Sequence, residues 1–146
     1  MSLPEPPTGG EPGQLLCLTI LGYKKAGLSE EDYKHHMTKV TAPMTQDLMV
    51  KYGIVRWTMI HNNTSTRAQM AHIFGPSFPN TSDFDCFTQI VFKSVHDYKK
   101  VLEDPFYKQN CAPDHGNFAD MRNSKITIGW ITEIVNDGKI SQGLTA

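Results

Sequence analysis

Apolar positions along the chain form two kinds of run. The first is short and dense. Leu15-Leu16-Cys17-Leu18-Thr19-Ile20-Leu21, closed by Gly22, reads as a buried strand. Ile54 to His61, which follows Gly53, reads the same way, as do Phe84 to Lys93 and Lys125 to Val135. In the last of these, Ile126, Ile128 and Trp130 share one face and Ile131 takes the other. The second kind is periodic. Tyr33, Met37, Val40, Met44 and Leu48 trace one helical face behind a capping box, Ser29-Glu30-Glu31-Asp32. Pro43 falls inside that pattern, where its ring meets the carbonyl of Lys39, so a kink or two helical pieces are expected. Ser94-Val95-His96-Asp97 opens a second helix through Leu102, and Asp104-Pro105 interrupts it. Short helical stretches then run from Pro105 to Asn110 and from Ala112-Pro113-Asp114 to Met121. Between the second and third strands, Asn62 to Asp83 is too long and polar for a hairpin turn; a short helix is expected at Thr66 to His72.

The order is β-α-β, long loop, β-α-β. A faint internal echo accompanies it: Asp32-Tyr33-Lys34 then Ala42-Pro43 then a strand, and Asp97-Tyr98-Lys99 then Ala112-Pro113 then a strand. Two β-α-β halves folded together make an α+β, ferredoxin-like β-α-β-β-α-β fold, a four-stranded antiparallel sheet with helices on one face. The other face also needs cover, and a second copy of the chain placed across a two-fold axis would provide it, giving a homodimeric α+β barrel.

Composition sets the boundaries and the partners. The first 13 residues hold four of the nine prolines and three of the eleven glycines, too little apolar surface to offset the entropy of ordering. Residues 1–13 are therefore expected as a disordered tail, 14–137 as one domain and 138–146 as a fraying C-terminal tail. With 14 Lys+Arg against 15 Asp+Glu the formal charge is −1, which speaks against a nucleic-acid groove or an anionic membrane surface. No apolar run approaches the roughly 20 residues that span a bilayer. The start lacks the basic and apolar regions of a secretory signal. Cys17, Cys86 and Cys111 are odd in number and far apart, so no disulfide framework is expected and a cytoplasmic setting is.

Six histidines are the natural acid–base candidates near neutral pH. His36 borders the apolar stripe of the first helix, and His35 turns to solvent. His61 closes the second strand on the face of Val55, Trp57 and Met59. His72 belongs to the long loop, and His96 to the first turn of the second helix. His115 follows Pro113-Asp114 in a segment that returns to the strand ends, where Asp114 or Asp120 could orient its ring. Cys111 and His115 stand one helical turn apart, but a single pair is not a metal site. Nothing marks the Cys86 or Cys111 thiol as activated. Phosphate-cradling glycine motifs and a nucleophile elbow are both missing, so no cofactor is expected. Tyr23, Trp57, Phe87 and Trp130 lie in or beside four different strands. With Met59 and His72, they are candidates to wall an apolar pocket for a flat polycyclic ligand. Asp83 and Asp85 flank Phe84 at the start of the third strand, where one could handle a proton.

These motifs resemble the EthD-domain family of dimeric α+β barrels, most closely its small fungal members that accompany polyketide synthases. The carriers are Ser29 to Tyr33, Ala42-Pro43, Lys51 to Thr58, Asp83-Phe84-Asp85, Asp104 to Tyr107, Ala112-Pro113-Asp114 and Phe118-Ala119-Asp120. The resemblance implies cofactor-free chemistry on an aromatic polyketide carboxylic acid, by decarboxylation, dehydration or cyclisation. Relatives often carry a histidine just before the Ala/Gly-Pro pair; here that position is Thr41. The expected function is a cofactor-independent lyase. His115 and His36 would serve as acid and base, His61 as a carbonyl donor, and Asp85 or Asp114 as orienter. A polyketide cyclase, a cofactor-less monooxygenase of the same fold and a non-catalytic binding module for a hydrophobic intermediate are the alternatives.

Overall fold

The computed structural model describes residues 13–141; the expected N-terminal tail lies outside them apart from Gly13, as do residues 142–146. Four strands, β1 (Leu16–Gly22), β2 (Arg56–His61), β3 (Cys86–Phe92) and β4 (Lys125–Trp130), form one antiparallel sheet in the order β2-β3-β1-β4. Leu18 lies opposite both Ile90 and Ile128, and Trp57 lies opposite Ile90. Because side chains alternate along a strand, this register puts Leu18, Ile20, Trp57, Met59, Ile90 and Ile126 on one face. The helices pack on that face: Leu48, Met49, Val101, Tyr107 and Cys111 are buried against Ile90, Phe92 and Trp57. The fold is the expected ferredoxin-like α+β arrangement.

The first helical segment comprises α1 (Glu30–His36), a π-turn (Met37–Thr41) and α2 (Ala42–Lys51). The Ser29 hydroxyl accepts from the Asp32 amide at 3.0 Å, the capping geometry its sequence anticipates. The segment is two α-helical pieces, as expected, joined through the π-turn, with Pro43 in the first turn of α2. The wide turn before it, closed by the Ala42 amide on the Met37 carbonyl, carries the chain past the position where a proline would clash with an α-helical carbonyl. The turn also advances the helical phase. Val40, expected inside, is 39% exposed, while Thr41, Thr45 and Met49 turn inward. Four-residue spacing, which drifts around a plain α-helix, stays on one face here because of the wider turn.

The second segment repeats the device with α5 (Val95–Glu103), a π-turn (Tyr107–Cys111) and α6 (Ala112–Phe118). Between β2 and β3 lie α3 (Thr64–Ala68) and α4 (Met70–Phe74), where a single short helix was expected. Asn63 caps α3, and Glu30 accepts from both the Thr64 amide and hydroxyl. β4 ends at Trp130, five residues earlier than the pattern predicts; Val135–Asn136 and Lys139–Ile140 instead form a separate hairpin, β5-β6. Its turn is Asp137-Gly138, with φ of 51° and 74°, the two positive values that a two-residue hairpin loop of this twist requires. The expected tail from Gly138 therefore begins as half of a hairpin.

Candidate active site

Helices and sheet do not close on each other everywhere. Between them lies a cavity of about 380 Å³, within the range that accepts a polycyclic small molecule. Its walls are mostly apolar: Ile20, Met37, Met49, Trp57, Met59 and Phe118 are among them, and among the described residues no lysine or arginine lines it. It opens at the far edge of the sheet, past Met121 and Ile126, both well exposed. Gly22 ends β1 beside the Tyr33 hydroxyl; a Cβ there would stand 3.2 Å from that oxygen, so glycine lets the helix approach the strand.

Among the described residues, the polar side chains in this wall bring hydroxyls and a single imidazole. His115, on α6, lines the cavity with its ring edge-on to Phe118 (centroids 6.0 Å) and Tyr107 (6.2 Å). Burial pushes its pKa below the ordinary histidine value, and the neighbouring Asp114 charge partly opposes this. Asp114 itself is only 6% exposed. His36 Nε2 stands 2.7 Å from its Oδ1, Asn117 Nδ2 donates to the same oxygen at 3.1 Å, and the Thr41 hydroxyl donates to Oδ2 at 2.6 Å. Burial alone would raise the Asp114 pKa; those hydrogen bonds from Thr41, Asn117 and His36 outweigh it and hold the carboxyl below its usual range. An ionised carboxylate only accepts, so the proton of the His36–Asp114 contact sits on Nε2 of His36.

The structure thus puts His115 in the cavity wall with Trp57 and Met59, and pairs His36 with Asp114, the chain neighbour of His115; His36 and Asp114 themselves are not in the lining. The other candidates lie elsewhere. His61 stands behind Tyr33 (rings 5.9 Å apart, edge-on) in a separate small hollow shared with Glu30, Lys34 and Asp85. Its Nε2 is buried with no hydrogen-bond partner among the described residues, and burial lowers its pKa, with the Lys34 charge adding to this. Asp85 clamps the sheet end: its Oδ2 accepts from the Lys24 amide at 2.8 Å and its Oδ1 faces Arg67 at 3.3 Å. Tyr23 stacks near Phe84 and donates to Asp83 at 2.6 Å, outside the cavity. Phe87, opposite Leu21 and Ile60 in register, belongs to the sheet face away from the helices. Trp130 shares the helix-side face but sits at the far end of β4, 39% exposed and off the cavity wall. His72 is exposed on α4.

Sequence reasoning missed the threonines and tyrosines of the wall. Thr41, Thr45 and Thr88 are buried polar residues that line the cavity. Tyr33 and Tyr107 line it too, their phenols pushed well above the usual range by burial, and the Tyr107 hydroxyl lies within reach of Tyr98. The available signal was the four-residue ladder Tyr33, Met37, Thr41, Thr45, Met49, which a stripe assigned by hydrophobicity alone passes over.

The chain has relatives among known proteins. Over 141 residues, 97% of this chain and 95% of the relative, the sequence is 54% identical to a decarboxylase of Paecilomyces divaricatus. It is 49% identical over 131 residues, 90% of this chain and 86% of the other, to a dehydratase of Gibberella zeae. Among solved structures, an EthD family protein of Bacillus halodurans superposes with a TM-score of 0.51 at 12% identity, covering 80% of this chain and 96% of its own. A protein of Bacteroides fragilis, described as dimeric with a ferredoxin-like fold, superposes at 0.52 and 9% identity, covering 80% and 96%. The EthD domain model matches residues 25–122, which include both helical segments, and the chain belongs to the EthD domain family.

Proposed function

We propose that this protein is a cofactor-independent lyase that decarboxylates an aromatic polyketide carboxylic acid, with His115 moving the proton. The observation that carries this reading is an imidazole, His115, in the wall of a largely apolar cavity whose lining holds no lysine or arginine among the described residues. Such a cavity favours the neutral acid over its carboxylate, since an unpaired charge is costly to bury. His115 takes the acid proton, and the nearby Asp114 charge stabilises the imidazolium that forms. The carboxylate, now in surroundings that do not solvate it, loses CO₂; the C–C electron pair passes into the adjacent carbonyl as an enolate. The imidazolium then returns its proton to the carbon, so the step is balanced and one proton cycles. His36 and Thr41 hold Asp114 in place throughout.

Dehydration is the second reading, favoured by the relationship to a dehydratase. The same imidazole would remove a C–H proton beside a carbonyl and return it to the departing hydroxyl. Anaerobic incubation of the purified protein with hydroxylated aromatic polyketide acids separates the two: loss of CO₂ supports decarboxylation, loss of water supports dehydration. An oxygen requirement would point to a monooxygenase, and unchanged ligand to a binding module.

The homodimer belongs to the same reading. Ile60, opposite Phe87 on the sheet face away from the helices, is 45% exposed, and that is the face a second copy would cover. Sedimentation analysis giving twice the chain mass supports this, and a monomer at micromolar concentration refutes it. Among the described residues no helix is long and apolar enough to cross a membrane, which agrees with a cytoplasmic enzyme.

A further inference from the structure

Hydrogen-bond capacity at one wall residue has a consequence for what the cavity accepts. Thr41 ends the first π-turn, is buried and lines the cavity. A threonine hydroxyl has one hydrogen to give and two lone pairs. At Thr41 the hydrogen is committed: the 2.6 Å bond to Asp114 Oδ2 has the length of a hydroxyl–carboxylate contact. Asp114 cannot release it cheaply, because its other oxygen is already occupied by His36 and Asn117 and the carboxyl stays ionised. What Thr41 has left to offer is acceptor capacity alone. Thr45, one turn along the same helical face, is also buried and lines the cavity.

We propose that Thr41 is a specificity-determining residue that accepts a hydrogen bond from a free phenolic or enolic hydroxyl of the substrate, beside the group that His115 acts on. The site then rejects ligands in which that hydroxyl is O-methylated or missing, because the buried acceptor would be left unpaired. The substrate class narrows from aromatic polyketide acids to those bearing a free hydroxyl near the reacting carboxyl. This rests on the lyase reading for the identity of the substrate, but the recognition itself does not require turnover.

The test is therefore equilibrium binding, followed through Trp57 and Trp130 fluorescence, of unreactive hydroxylated anthraquinones that lack a carboxyl group. Each is compared with its mono-O-methyl ether and its deoxy analogue. The wild-type protein is expected to bind one free-hydroxyl ligand roughly ten- to hundred-fold tighter than both analogues. In Thr41→Val that preference disappears because the hydroxylated ligand weakens to the level of the deoxy one; Thr41→Ser retains it. A preference that survives Thr41→Val, or a wild-type protein that never discriminates, overturns the proposal. Discrimination in binding with no turnover of any acid would leave it standing and remove the lyase reading instead. The Thr41→Ser variant guards against misreading a folding defect.

Discussion

In the first half of the chain the π-turn Met37–Thr41 hands over to Ala42-Pro43, and in the second the π-turn Tyr107–Cys111 hands over to Ala112-Pro113. Aligned on those prolines, Met37 matches Tyr107 and Thr45 matches His115, and all four line the cavity. The match then breaks. Thr41 faces the cavity and holds Asp114, whereas its counterpart Cys111 is sealed in the core beside Val101 and Tyr107. Asp114 itself corresponds to Met44, which packs half-buried on the core. One backbone device thus serves twice, once for a wall of thioether and hydroxyl groups and once for an imidazole and its carboxylate. The device presents four-spaced residues to the sheet; which chemistry they carry is decided by substitution at two or three positions.

That comparison can be broken most severely at its reactive pair. Removing His115 as His115→Ala is expected to lower kcat by about 10²–10⁴-fold while ligand binding persists, and Thr45→Val at the matching position to change it by less than about tenfold. Equal losses in both would mean that the two halves share the chemistry. Next in size is stability. Asp114→Ala leaves the Thr41 hydroxyl and the His36 ring without their shared acceptor and should cost about 3 kcal/mol in denaturant unfolding. Met44→Ala, which removes half-buried surface only, should cost less, about 1–2 kcal/mol.

Acid sharpens the same contrast, since Thr45 and Met44 do not titrate. His115 binds its proton less readily when folded than when unfolded, so the unfolded chain gains protons first as pH falls. Its contribution is complete above about pH 6.5 and is lost as pH drops through the lower folded value. His61, shifted in the same direction, adds to this stage. Asp114 contributes fully above about pH 3.9 and loses its contribution below, through its own depressed value. Stability measured against pH should therefore fall in two stages, and His115→Gln should shrink the upper one and leave the lower. The smallest effects are expected at the prolines. Pro43→Ala and Pro113→Ala should each change the unfolding free energy by no more than about 1 kcal/mol, because the π-turns already relieve the clash. A larger loss at only one of them would show that the two turns are held by different forces.

Element order and sheet topology could be read before any coordinates because they rest on local pattern. Dense apolar runs, a capping box at Ser29 and two helical segments between strands leave few ways to close a sheet. The echo between the halves was visible for the same reason. The Asp137-Gly138 hairpin is equally legible, since that dipeptide tolerates two positive φ angles, yet the expected boundary between domain and tail cuts it between those two residues. Candidates were harder to sort. His36 meets Asp114 across the two helical segments, a pairing of positions 78 residues apart. Phe87 and Trp57 are both strand aromatics, and only the pairing register places them on opposite faces.

Thus the amino-acid order alone determined which segments become strands and helices, and which of them could alternate into a two-layer domain, because those choices depend on neighbours a few residues away. Tertiary packing decided the rest: the gap between the layers, the inward turn of Thr41 in place of Val40, and the isolation of His61 behind Tyr33. Each of these depends on helical phase accumulated over a wide turn and on contacts distant in sequence, quantities that no local window contains.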